Sequence, residues 1–153
     1  MASVKAKTYK AWLLEWPQQP LALATCEVVE IVDAPEIHEV PFGPDWCRGM
    51  VVWRDQLLAL AVPEYSLQLS VEKNAAPLTV VIVAMQAKAL APLQYAAIGV
   101  YAHPRQIDVQ DGLDCDLPHD SVLPMLAARA CFQIDGRAVL VPDLNSLFGS
   151  HAA

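Results

Sequence analysis

Short apolar runs rich in β-branched residues recur along the sequence, and each run is brief. The clearest is residues 78–85, in which Val80 to Val83 are four consecutive β-branched side chains. Proline, glycine or a polar cluster ends most of these runs, at a spacing of about 8–12 residues, which is typical of β-sandwiches and barrels. Little of the chain has helical periodicity. The sequence therefore predicts an all-β fold with one or two short helices.

The most informative segment is residues 41–62. A turn rich in proline and glycine precedes Trp46 and Gly49, and two apolar runs then flank a short polar break. This pattern predicts a tight β-hairpin. Because the break lacks glycine, we expect the turn to use Asp55, a residue type that tolerates left-handed backbone angles. Trp53 lies beside an arginine at the tip, a composition common at interfaces. We interpret this hairpin as the candidate recognition element.

Three further segments have local signals. Residues 27–32 fit either a strand, by their β-branched content, or one or two helical turns, by the spacing of their acidic residues. The dipeptide Asp135-Gly136 lies between two apolar runs and predicts a two-residue hairpin turn. Residues 143–149 predict a terminal helical turn that an aspartate caps and a glycine ends.

Composition limits the classes of partner. The 153 residues suffice for one domain, or for two small subdomains with a common core. The apolar fraction, 55%, and the charged fraction, 18%, suggest surfaces buried against partners as well as internally. The net charge of −7 and the absence of a basic stripe argue against nucleic acid and anionic membranes as partners. No apolar run approaches the roughly 20 residues of a membrane span, so no membrane insertion is expected.

The cysteines indicate neither a metal site nor disulfides. The four cysteines are irregularly spaced and form no C-x-x-C pair, which argues against structural zinc. The first residues contain no apolar signal core, so we expect a cytoplasmic protein with four free thiols. The acidic loop at residues 111–116 is similar to a calcium loop but lacks its glutamate. We therefore expect no metal and no cofactor.

No catalytic motif is visible in the sequence. It contains no G-x-S-x-G, Walker A or G-x-G-x-x-G motif, and the four histidines share no spacing with the cysteines. A dyad of Cys47 with a histidine is an open alternative, although a packed thiol at a strand edge is the favoured interpretation. We therefore expect that the protein is not an enzyme.

The order of these segments resembles the CheW-like family, the coupling modules of bacterial chemosensory arrays. The resemblance covers residues 9–149, so we expect one CheW-like domain there and flexible tails at 1–8 and 150–153. The matching landmarks, in chain order, are Val28-Val29-Glu30-Ile31, the set Pro41, Pro44, Trp46 and Gly49, the turn Trp53-Arg54-Asp55, the strand 80–83, and the run Val139-Leu140-Val141-Pro142-Asp143-Leu144.

The resemblance implies a fold of two small five-stranded β-barrel subdomains around a shared core, with a groove between them. It also implies a non-catalytic adaptor that couples a chemoreceptor cytoplasmic tip to the regulatory domain of a CheA-type histidine kinase. The resemblance marks Arg54, Val28 and Ile31 as partner-binding, and the hairpin tip adds Trp53, Asp55 and Gln56 to these candidates. It marks Trp46 and Gly49 as structural, and the predicted Asp-Gly turn adds Gly136.

One departure from the family pattern indicates the kind of chemosensory system to which the chain belongs. The family's usual Asn-Leu-Arg-Gly turn is Val52-Trp53-Arg54-Asp55 in this sequence. This form resembles divergent members of type IV pilus chemosensory systems, which implies a role in pilus-based (twitching) motility. The alternative is a divergent CheW-like regulatory or small-molecule-binding β-barrel that no longer couples receptors. Val28 and Ile31 also have a purely structural interpretation, as core-facing residues.

Overall fold

A computed structural model describes residues 7–15, 20–33, 35–39, 47–61, 79–100, 102–110, 112–114 and 128–149. Most of them lie in β-strands of two sheets, which confirms the predicted all-β class. Trp46 and the turn before it lie outside the described residues, as do Cys115, residues 1–6 and residues 150–153. No helix in the described part of the chain is long and apolar enough to cross a bilayer.

The described strands fall into a five-stranded sheet with the order β10-β11-β2-β1-β9 and a six-stranded sheet with the order β3-β7-β8-β6-β5-β4. The second sheet has one strand more than the family resemblance implies. In chain order the strands are β1 (Thr8–Leu14), β2 (Leu21–Ala24), β3 (Val28–Asp33), β4 (Ile37–Glu39), β5 (Cys47–Trp53), β6 (Gln56–Ala61), β7 (Thr79–Met85), β8 (Gln94–Val100), β9 (Arg105–Gln110), β10 (Ala128–Ile134) and β11 (Arg137–Pro142).

The position of strand β7 between two apolar clusters explains the almost uninterrupted apolar run at residues 78–85. Successive side chains of a strand point to opposite faces of its sheet. Val81 and Val83 join a core that both sheets share, whereas Val80 and Ile82 join a separate cluster on the other face. A strand buried on both faces needs apolar residues at every position. The run at 78–85 therefore marks the centre of the fold.

The shared core holds the two sheets together, as the family resemblance implies. Its fully buried members from the five-stranded sheet include Leu14, Leu21 and Leu23. The short helical turn Asn145–Gly149 and the residue before it add Leu144 and Leu147 to the same core. The backbone amide of Asn145 donates a hydrogen bond of 3.1 Å to the Asp143 carboxylate. Asp143 therefore caps the terminal helical turn that the sequence predicts.

Two ambiguous or turn-forming segments now have definite structures. Residues 28–33 form strand β3, which pairs antiparallel with β7, and a 3-10 turn, Thr25–Glu27, precedes it. The β-branched residues therefore outweigh the helical spacing of the acidic ones. Asp135 (φ 50°) and Gly136 (φ 78°) form the turn between β10 and β11, both with left-handed angles. These are the angles that a type I′ hairpin turn requires.

Candidate functional site

The β5–β6 hairpin ends in a two-residue turn. Trp53 and Gln56 form the last strand pair, and Arg54 (φ 47°) and Asp55 (φ 61°) form the turn between them. A type I′ turn requires left-handed angles at both central positions, which cost a residue with a side chain roughly 1–2 kcal/mol. The sequence predicts this conformation at Asp55 but not at Arg54. Strained conformations persist where surrounding contacts hold them.

The Arg54 side chain makes two contacts that hold the turn in this conformation. Its guanidinium carbon Cζ lies 4.5 Å from the centroid of the Trp53 ring, and its Nη2 atom lies 3.7 Å from Oε2 of Glu30. The same Oε2 atom accepts a hydrogen bond of 2.6 Å from Nε1 of Trp53. One carboxylate therefore binds both the indole N–H and the guanidinium. We call Glu30, Trp53 and Arg54 the polar corner.

Trp53 is a core residue as well as part of the corner. It is 7% exposed and packs in one cluster with Val51, Leu58 and Leu60. Its ring centroid lies 5.2 Å from that of Tyr95, with the two ring planes tilted by 49°. A buried indole N–H requires an acceptor, and Glu30 provides it. The buried Trp53 ring therefore holds the exposed side chains of Glu30 and Arg54 in position, and it leaves little of its own surface accessible to a partner.

The other turn residues face solvent. The side chain of Arg54 is 67% exposed and that of Glu30 is 44% exposed. Asp55 and Gln56 are also exposed. Since arginine has five N–H donors, a single ion pair leaves several of them available to a partner. The turn can therefore offer a fixed cation beside carboxylates on an otherwise acidic protein.

Strand β3 lies at the edge of its sheet and brings Glu30 to the corner. Val28 and Ile31 are both half-buried, and Val28 packs against the shared core. A β-bulge between Val28 and Glu30 shifts the register, so that Glu30 lies opposite Ile82. Without the extra residue, Glu30 would lie opposite Val81, on the other face of the sheet from Trp53. The bulge therefore places the carboxylate on the same face as the indole.

Gly49 allows two strands to approach closely. A Cβ atom at this position would lie 2.5 Å from the carbonyl oxygen of His38 in β4. Gly49 is buried, and it follows a register shift in the β5–β6 pairing. Any side chain here would push β4 away from β5. Glycine is favoured at position 136 for a different reason, the left-handed turn angle there.

The structure describes the surroundings of Cys26 and Cys47. Cys26 and Cys47 form no disulfide, and the Cys47 Sγ atom lies 3.3 Å from the carbonyl oxygen of Gly49, to which it donates. Among the described residues, no group of three His, Cys, Asp or Glu side chains lies close enough together to hold a metal ion.

Comparisons with known proteins agree with this architecture. Residues 11–152 match a family model described as "CheW-like domain". The crystal structure of the scaffolding protein TtCheW from Thermoanaerobacter tengcongensis superposes with a TM-score of 0.69 over 93% of this chain and 88% of that chain. The two sequences are 16% identical, so this similarity is one of fold. A comparison with curated protein sequences finds no significant match.

Proposed function

The chain belongs to the CheW-like domain family, and we propose on that premise that it is a cytoplasmic, non-catalytic adaptor that couples a chemoreceptor to a CheA-type histidine kinase. The adaptor domain corresponds to residues 9–149. The observation that carries the proposal is the polar corner, because an exposed arginine is held in a strained turn by a buried tryptophan and a carboxylate. Folding alone does not require a cation at a solvent-facing hairpin tip.

The corner is suited to binding a protein without rearranging. The Arg54 side chain is ordered by the Trp53 ring and by Glu30 before any partner arrives. Immobilising a long side chain on binding costs about 0.5–1.5 kcal/mol, so an arginine that is already ordered binds more tightly. We assign this corner to the receptor cytoplasmic tip. Asp55 and Gln56 then form the polar rim of the contact. Val28 and Ile31 lie on the other face of the same sheet, so any partner contact that they make is separate from the corner.

A narrower proposal concerns the pathway. The turn has Asp55 where the family pattern has glycine, and the aspartate adopts the left-handed angle that the glycine would otherwise provide. This Trp-Arg-Asp form supports a place in a chemosensory system of type IV pili. Deleting the gene should then impair twitching motility and leave swimming intact. Loss of swimming with normal twitching would refute this assignment.

Binding measurements on two matched arginine variants test the receptor contact. Purified wild-type chain is titrated with a receptor cytoplasmic tip and, separately, with a kinase regulatory domain. We expect Arg54→Ala to weaken tip binding by about tenfold or more. The matched control is Arg105→Ala, because Arg105 lies in β9 of the other sheet, is 61% exposed and forms an equally long ion pair, 3.7 Å, with Glu15. We expect the control to bind the tip as wild type does.

The outcomes separate the two functional classes. Equal loss in both arginine variants would show a general effect of net charge rather than a contact at the corner. If wild-type chain binds neither the tip nor the kinase domain, the adaptor proposal is wrong. The regulatory or small-molecule-binding β-barrel would then be the better description of this family member.

A further inference from the structure

Two arginines and one glutamate meet at one end of the five-stranded sheet. Arg105 is the first residue of β9, Arg137 is the first residue of β11, and Glu15 follows the last residue of β1. Strand β1 is antiparallel to both β2 and β9, and β11 is parallel to β2. The starts of β9 and β11 therefore lie at the same end of the sheet as the end of β1. We call Glu15, Arg105 and Arg137 the arginine clamp.

The arginine clamp also lies on a single face of that sheet. Side chains two residues apart along a strand point to the same face. Leu13, Ile107 and Val139 each lie two residues from a member of the clamp, and all three pack in one apolar cluster. The clamp is therefore at the rim of this cluster, where apolar neighbours strengthen the interactions of its charges.

One carboxylate contacts both guanidinium groups. Arg137 donates to both carboxylate oxygens of Glu15, at 3.5 and 3.2 Å. The Nη2 atom of Arg105 lies 3.7 Å from Oε1, one of the same two oxygens. Glu15 can neutralise only one of the two positive charges that lie beside it. The clamp therefore keeps a net positive charge on a chain whose own net charge is −7.

Most hydrogen-bond donors of the clamp are available to a ligand. Each guanidinium has five N–H donors, and within the described part of the chain Glu15 is the ion-pair partner of both arginines. The side chains of Arg105 and Arg137 are 61% and 53% exposed, so solvent reaches the remaining donors. Two positive charges beside one oxygen repel each other, and a second anion between them would offset this repulsion.

Holding the strand ends together does not account for the second arginine. Arg137 alone already binds both oxygens of Glu15. Arg105 lies too far from the carboxylate for a good hydrogen bond, and an exposed ion pair of this kind contributes little to stability. Arg105 therefore adds positive charge and free donors to the clamp rather than strength to the fold.

We propose that the arginine clamp is a binding site for a small oxyanion, the phosphate or carboxylate group of a small molecule. Guanidinium groups bind both kinds of group through paired N–H donors. The net charge of −7 opposes large polyanions, whereas a small anion interacts chiefly with charges within the Debye length of about 8 Å. This ligand site goes beyond the adaptor function and does not depend on it.

Titration of the full chain with sodium phosphate tests the proposal. Phosphate replaces chloride at constant pH and constant ionic strength, so that general charge screening does not change. The readout is the set of ¹H–¹⁵N signals from the arginine Nε–H groups, which single arginine variants assign. We expect the signals of Arg105 and Arg137 to follow one saturating curve. The signal of Arg54 should stay in place, because Glu30 balances its single charge.

Three variants identify the residues that bind the anion, and far-UV circular dichroism checks that each is folded. Arg137→Ala should raise the dissociation constant for phosphate by about tenfold or more. Glu15→Gln should lower it by about threefold or more, because glutamine keeps an acceptor oxygen for the arginines but removes the competing charge. The control is Lys10→Ala, since Lys10 is 69% exposed and forms an ion pair of 3.6 Å with Asp108 in the same sheet. We expect the control to stay within about twofold of wild type.

A second titration, with sodium acetate, distinguishes the two sources of the oxyanion. Tighter binding of phosphate would indicate a phosphate ester as the ligand, and tighter binding of acetate would indicate a carboxylic acid. No saturable shift with either anion would overturn the proposal. So would equal affinities of wild type, Arg105→Ala and Arg137→Ala, or weaker binding by folded Glu15→Gln. None of these results bears on the adaptor proposal, because no partner protein takes part.

Discussion

Removing the carboxylate of Glu30 should destabilise the fold chiefly through the tryptophan rather than through the ion pair. In Glu30→Ala the indole N–H of Trp53 loses its 2.6 Å acceptor while the ring stays buried at 7% exposure. A buried donor without a partner costs about 1–3 kcal/mol. The Arg54–Glu30 pair is mostly exposed and contributes about 0–1 kcal/mol.

The exposure of Glu30 places the expected loss of stability in the lower part of the 1–3 kcal/mol range. The Glu30 side chain is 44% exposed, so water can approach its position after truncation and replace part of the lost acceptor. We therefore expect Glu30→Ala to lower the free energy of unfolding by about 1–2 kcal/mol. Glu30→Gln keeps an acceptor oxygen for the indole and loses only the charge, so its cost should stay below about 1 kcal/mol.

A double-mutant cycle identifies the cause. Urea unfolding followed by far-UV circular dichroism gives the free energy for wild type, Glu30→Ala, Trp53→Phe and the double variant. Phenylalanine has no N–H, so in the Trp53→Phe background Glu30→Ala should cost only the ion pair, less than about 1 kcal/mol. An equal cost in both backgrounds would refute the hydrogen-bond explanation. It would then point to the strand bulge as the feature that Glu30 stabilises.

Three further predictions concern stability. Arg54→Ala should lower the free energy of unfolding by less than about 1 kcal/mol, because the ion pair is exposed; a larger loss in urea unfolding would make Arg54 a structural residue. Gly49→Ala should lower the free energy of unfolding by about 1–3 kcal/mol or prevent folding, because the added Cβ would meet the His38 carbonyl. Gly136→Asn should lower it by less than about 1 kcal/mol in the same assay, because asparagine tolerates left-handed angles. Leu90, in the loop between β7 and β8, is wholly exposed and has a left-handed backbone angle, φ 67°. Leu90→Gly should therefore leave the melting temperature unchanged or raise it, because glycine adopts this angle without a steric cost; a clear fall would mean that the leucine stabilises the loop.

The sequence predicts the class of fold because period-two patterning and turn chemistry act locally. The double-sided burial of β7 appears in the sequence as four apolar β-branched residues in a row, Val80 to Val83, and the Asp135-Gly136 turn has the residues that its angles require. Strand pairing between distant segments has no such local signal. The addition of β4 to the edge of the six-stranded sheet is therefore known only from the structure.

Only part of the candidate site can be predicted from the sequence, because the rest depends on strand register. The hairpin tip with Arg54 was predicted from its polar break, but Glu30, which holds it, was not among the candidate residues. Its position depends on the bulge before it, and a one-residue register shift moves a side chain to the other face of a sheet. The usable signal was the single acidic residue within an otherwise apolar V-x-E-I element. Likewise, Trp53 was assigned to partner binding, whereas most of its ring is buried.

The polar corner leads to a prediction about how an adaptor can hold two partners. If the receptor tip binds at Arg54 and the kinase domain binds at a separate surface, a variant of the corner should lose one partner and keep the other. Arg54→Ala should weaken tip binding and leave kinase affinity within about twofold, because rigid, separate contacts contribute additively. Titrating wild type and Arg54→Ala with each partner measures all four combinations. Loss of both partners in Arg54→Ala would mean that both partners depend on the corner, and its assignment to the tip alone would be wrong.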